Sequence, residues 1–130
     1  MHTLIQQWHE LLRSGDPSKL PALLSDSVVF HSPVLHAPQI GRDLTEMYLL
    51  AALQGLYNDS FHYVREVVGD NDAALEFVVE HDGIVINGVD LIRWDEQQKI
   101  TDFKVMIRPY RAIDKVREIM LEALASIQSG

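Results

Sequence analysis

Apolar residues recur at helical spacing in three stretches of the chain and at alternate positions in its second half. Leu4, Ile5, Trp8, Leu11 and Leu12 share one side of a helix over residues 3–14, which Gly15 ends. Asp16 or Ser18 caps a second short helix reaching Leu24, with Pro17 tolerated in its first turn. Val28-Val29-Phe30 predicts a short strand stopped by Pro33, and residues 34–40 a loop. Leu44, Met47, Tyr48, Ala51 and Ala52 give the apolar side of a helix over 43–56. From Phe61 the period moves from 3.6 towards 2, predicting strands over 61–69, 73–81, 84–95 and 99–108. Asp70-Asn71-Asp72, Asp82-Gly83 and Glu96-Gln97-Gln98 are the turns between them, short enough to favour antiparallel neighbours. A last helix over 112–127 carries Ile113, Val116, Met120, Leu124 and Ile127 on one stripe. Helices first and an antiparallel meander afterwards predict an α+β domain whose helices cover one face of the sheet.

Composition narrows the function classes. A chain of 130 residues, 47% apolar and 23% charged, suits one globular domain over 1–130 with a sizeable core. No repeat, low-complexity segment or linker divides it, and no run approaches the ~20 apolar residues of a membrane span. The start of the chain lacks the basic segment and apolar run of a secretory signal. With no cysteine, disulfides, thiolate catalysis and cysteine-built zinc sites are excluded, and a cytoplasmic address is expected. A net charge of -8 with scattered basic residues argues against nucleic-acid binding. No phosphate-binding glycine pattern is present, so no nucleotide cofactor is expected.

The chemistry concentrates in Val89-Asp90-Leu91-Ile92-Arg93-Trp94-Asp95, followed by Lys99-Ile100-Thr101-Asp102-Phe103. Asp90 shares a strand face with Ile92 and Trp94. A carboxylate on the apolar side of a strand is paired, protonated or functional.

The order of these elements resembles the cone-shaped fold of nuclear transport factor 2, ketosteroid isomerase, limonene-epoxide hydrolase and the SnoaL-like polyketide cyclases. The resemblance runs through Trp8-His9-Glu10-Leu11-Leu12-Arg13-Ser14-Gly15-Asp16, Val28-Val29-Phe30-His31-Ser32-Pro33 and Gly41-Arg42-Asp43. It is strongest at Val89 to Asp95 with Lys99-Ile100. It implies N-terminal helices packed on a strongly curved antiparallel sheet. Against the ketosteroid isomerases, Asp90 falls where a protonated aspartic acid donates to the oxyanion. Trp8 takes the place of the oxyanion tyrosine, and Ser32 that of the general-base aspartate. A serine cannot shuttle the steroid proton and an indole offers only an N–H donor, so that isomerisation is not expected. The epoxide-hydrolase pattern needs an acid where Val105 stands, and an Arg-x-Asp pair on a strand that carries Leu75, Phe77 and Val79. Cyclase-like relatives use a carboxylate and often a histidine, roles open to Asp90 and to His31 or His81.

With Asp90 pointing into the cone, alternation adds Ile86, Gly88 and Ile92 from its own strand. Phe103, Val105 and Ile107 follow from the next strand, and Leu75, Phe77, Val79 and His81 from the third. Trp8 and Leu12 join from the first helix, and Tyr48 or Ala52 from the later one. The set describes a mostly apolar small-molecule cavity with few polar groups, expected of an isomerase, cyclase or hydrolase acting on an apolar metabolite, with a non-catalytic ligand-binding or protein-interaction module as the alternative. In it Asp90, Ser32 and His81 are the polar candidates, and Trp8 and Phe103 are walls. Asp90 has two readings: contact with a ligand, or a hydrogen bond to a backbone amide, Ser32 or Trp8 inside a filled core. No three-ligand metal set is evident, and no cofactor is expected. The opposite face, with Val78, Val89, Leu91 and Met106, is expected to pair with a second copy of the chain. Arg93 with Asp102 or Glu80 is a candidate cross-strand pair there.

Overall fold

The structure, a computed structural model, describes residues 3–129, and side chains over residues 4–127. Helix α1 (Thr3–Ser14) lays Leu4, Ile5, Trp8 and Leu11 into the core, with Leu12 only half-buried. Gly15 ends it at φ 66°, its N–H returning to the Leu11 carbonyl at 3.1 Å. The expected second helix is instead two 3-10 turns, Pro17–Lys19 and Pro21–Leu23. Pro21 has no N–H to continue an α-helix, and Leu24 already begins a strand. Asp16 does cap the first turn, accepting from the Ser18 N–H at 3.1 Å.

Strand β1 (Leu24–His31) is longer than Val28–Phe30, and the predicted loop contains a two-residue strand β2 (Gln39–Ile40). Helix α2 (Arg42–Gly55) follows, then β3 (His62–Val68), β4 (Asp72–His81), β5 (Ile84–Trp94), β6 (Ile100–Arg108) and α3 (Tyr110–Ser129). In α2 the buried positions are Thr45, Leu49 and Ala51, while Leu44 is exposed, a rotation of the expected apolar side. On α3 the deep positions are Ala112, Val116, Met120 and Ala123, with Ile113, Leu124 and Ile127 partly covered.

The six strands form one sheet in the order β2-β1-β6-β5-β4-β3. The meander β3-β4-β5-β6 is antiparallel as expected, but β6 closes against β1 in parallel, so the sheet is mixed. Parallel pairing between distant segments leaves no turn signature in the sequence. Strand β3 is bulged: Tyr63 faces Phe77, but Arg65 faces Glu76, so one residue between them is unpaired. Its parity therefore flips, and Tyr63, Glu66 and Val68 all lie opposite inward residues of β4.

The covered face holds two apolar clusters. Trp8, Leu11, Phe30, Leu75, Ile92 and Phe103 belong to one, and Phe77, Val79, Ile86, Val116 and Met120 to the other. Tyr48, Tyr63 and Val105 touch both. On the opposite face Asp102 Oδ1 accepts from His31 Nε2 at 3.0 Å, and Arg93 lies 3.9 Å from Asp72. The Arg93–Asp102 and Arg93–Glu80 pairs are thus replaced, although Arg93 and Asp102 are cross-strand neighbours. No helix of the described residues is long and apolar enough to cross a membrane.

Candidate functional site

Asp90 sits on β5 between the two clusters, paired with Leu75 on β4 and Val105 on β6, and is 2% exposed. Gly88, its neighbour on the same face, is required by Phe77. A Cβ at 88 would stand 2.4 Å from Phe77 Cζ, so only glycine leaves room for that ring. Apolar cover then disfavours the charged form, and burial raises Asp90 from 3.8 to about 7, against the opposing pull of a hydrogen bond from Tyr63.

That hydrogen bond is the centre of the site. The Tyr63 hydroxyl donates to Asp90 Oδ2 at 2.7 Å and accepts from Trp8 Nε1 at 3.0 Å. The Tyr63 hydroxyl is held well above its usual pKa, first by burial and then by the nearby Asp90 carboxylate, and Tyr57 is raised by the same two causes. Both phenols therefore stay neutral donors where Asp90 changes charge. Tyr63 gives the only hydrogen bond to this carboxyl among the described residues. No fully buried side-chain nitrogen or oxygen among them lacks a hydrogen-bond partner.

Most of the expected wall residues are buried or half-buried on the covered face that holds Asp90, and one polar candidate lies far from it. Trp8 and Phe103 are each 1% exposed, with ring centroids 5.1 Å apart. Phe77, Val79, Ile86 and Ile92 are buried, while Tyr48, Val105, Ile107 and Leu12 are half-buried. Phe30, which the alternation argument omitted, packs on both Tyr48 and Phe103 at 6.0 Å. Ser32 is buried, and extending the β1–β6 register by one residue places it beside Val105, in the same row as Asp90. Two strand spacings separate them, about 10 Å. The Ser32 hydroxyl accepts from the Val34 N–H at 3.2 Å.

His81 does not join them. It lies six residues along β4 from Leu75, the partner of Asp90, or about 20 Å of extended strand. Its Nε2 donates to the Leu56 carbonyl at 2.7 Å and approaches Asn58 Nδ2 at 3.3 Å, stitching β4 to the end of α2. His31 lies on the other face with Asp102.

Tyr63 and Tyr57 are the residues that sequence reasoning missed. Phe61 and Tyr63 alternate inward, which is a usable signal, but the bulge after Tyr63 breaks the pattern at Arg65. Tyr57 follows the end of α2, where no periodicity assigns a direction. No cluster of three or more His, Asp or Glu able to hold a metal occurs among the described residues.

The topology has known counterparts. Residues 5–103 match the SnoaL-like domain. The chain belongs to the SnoaL-like family. Within the wider NTF2-like superfamily it has a ketosteroid isomerase-like fold. This SnoaL-like chain is similar to the crystal structure of a steroid delta-isomerase from Pseudomonas aeruginosa. The two are 33% identical over 98% of this chain and 93% of that one, with a TM-score of 0.91. A bacterial protein of cystatin-like fold from Silicibacter pomeroyi DSS-3 is 34% identical over 94% of this chain and 85% of its own, at a TM-score of 0.85. An NTF2-like protein of Mesorhizobium loti shares the fold alone, at 18% identity over 82% of this chain and 89% of that one and a TM-score of 0.70. No curated protein matches the chain.

Proposed function

We propose that the chain binds a small, largely apolar molecule against Asp90 and acts on it as an isomerase, cyclase or hydrolase. The observation that carries this reading is the Asp90 carboxyl, buried at the seam of two apolar clusters with one hydrogen bond and a pKa of about 7. A group poised near neutrality can give or take a proton at ordinary pH. As the acid it donates to a developing enolate or alkoxide oxygen, and as the carboxylate it abstracts a proton. The sheet bends around this seam into a cone in the proposal, with Trp8 and Phe103 as walls and Ser32 as a second polar contact from the same row. Likeness to a steroid delta-isomerase at 33% identity favours an isomerase. The serine in place of a general-base carboxylate points away from steroid proton shuttling and towards a reaction in which Asp90 is the principal titrating group.

The test compares wild type with Asp90→Asn on a ligand obtained by screening. Retained affinity with turnover abolished is expected, and unchanged turnover refutes an essential acid. A second reading, a binding module without catalysis, draws on Ser32 and His81. Both are engaged by backbone groups, so no second acid or base joins Asp90. In that case no ligand found by screening is turned over by the wild type.

The uncovered sheet face is proposed to pair with a second copy of the chain. Val67 is 62% and Met106 49% exposed there, beside half-buried Val89 and Leu91.

A further inference from the structure

Between α1 and β3 lies a cleft of about 830 Å3, within the usual range of about 300–1,000 Å3 for small-molecule sites. One wall is aromatic. Tyr57 and Phe61 have ring centroids 4.1 Å apart, and Phe61 and Tyr63 5.2 Å. Phe61 is backed by Phe77, stacked at 5.1 Å, which fixes its orientation. The other wall is polar: His9 from α1 stands edge-on to Tyr63 at 5.6 Å, and its Nε2 meets Glu66 Oε1 at 2.6 Å. Glu66 reaches this side only because the β3 bulge flips its parity; in unbroken alternation from Tyr63 it would face away from α1. Its second oxygen has no hydrogen-bond partner among the described residues. Tyr63 divides this cleft from the buried site, its ring lining the cleft while its hydroxyl points to Asp90.

We propose that this cleft is a separate binding site for a flat hydroxylated ring, a phenol or fused-ring phenol, lying on Tyr57 and Phe61 with its O–H donating to Glu66. Aromatic rings favour offset or tilted stacking, which the half-buried rings of this ladder, lining the cleft, permit. The carboxylate supplies the one directional contact, and hydrogen bonds to charged acceptors are about twice as strong as neutral ones. The site does not depend on the reading of Asp90.

The experiment uses the full chain and two fluorescent probes, 2-naphthol and 2-methoxynaphthalene, which differ in the hydroxyl proton. Saturable binding with about a tenfold preference for 2-naphthol is expected in the wild type. Glu66→Gln should lose most of that preference with an unchanged melting curve, since the side chain is half-exposed. Asp90→Asn should leave the naphthol affinity within about twofold. Equal affinity for the two probes, or no saturable binding of either, overturns the proposal. If Asp90→Asn removes the preference and Glu66→Gln does not, naphthol occupies the buried site. The cleft proposal then fails while the Asp90 reading stands.

Discussion

Exchanging Asp90 for asparagine should change how stability responds to pH, by an amount the site defines. In the unfolded chain this carboxyl titrates at its ordinary 3.8, and in the folded chain at about 7. At 1.36 kcal/mol per tenfold, ionising it in the fold costs about 4 kcal/mol more than in the unfolded chain. The sign follows from proton counts. Between the two values the native state holds a proton that the unfolded state has released, so stability falls as pH rises. The contribution is fully present below pH 3.8 and gone once pH exceeds the folded value. Integrating over the accessible part, wild type should lose about 2–3 kcal/mol relative to Asp90→Asn between roughly pH 5 and pH 8.5. Asparagine adds its own cost of about 1–3 kcal/mol, because its amide N–H2 lacks an acceptor, but that cost does not vary with pH. Urea unfolding of both proteins across this range separates the two effects, since every other titrating group cancels in the difference. A difference constant to within about 0.5 kcal/mol would refute the assignment of a protonated, desolvated carboxyl.

Tyr63→Phe removes the hydrogen bond that lowers Asp90, so the Asp90 carboxyl should titrate above 7, read by carbon-detected NMR; an unchanged or lower midpoint counts against it. Gly88→Ala drives a Cβ into Phe77 and should cost about 1–3 kcal/mol in urea unfolding, with a loss under about 0.5 kcal/mol showing that the ring has room. Wild type is expected to sediment at twice the 14.8 kDa chain mass, and Met106→Asp at once that mass. A wild type that sediments as a single chain at micromolar concentration removes the dimer.

Much of the fold is legible because the strands of the second half alternate cleanly. Ile86, Gly88, Asp90 and Ile92 face inward from β5, and Phe103, Val105 and Ile107 from β6, as period two requires. Where the prediction departs from the structure, the deciding force is not local. Leu44 and Leu49 are equally apolar, and only the packing of α2 buries Leu49 and leaves Leu44 exposed. The β1–β6 pairing joins distant segments in parallel, which no turn announces. Pro21 was the readable signal against a continuous second helix, since it removes the donor that the helix needs.

The site was legible at Asp90 and opaque at its partner. An apolar strand face with one carboxyl declares an energetic problem, but not what solves it. The structure answers with Tyr63, from an edge strand two neighbours away, and the reach depends on glycine at 88. Phe77 lies opposite both Tyr63 and Gly88, so a side chain at 88 would displace the ring that stands next to Tyr63 in the sheet. Trp8 then completes the chain from α1. Three elements thus converge on one proton, and the residue that joins them is the one next to the bulge. The same bulge that hides Tyr63 from an alternation argument turns Glu66 towards α1. A single inserted residue in β3 therefore brings Glu66 to His9, on the cleft side of the Tyr63 ring, while the Tyr63 hydroxyl holds the buried carboxyl.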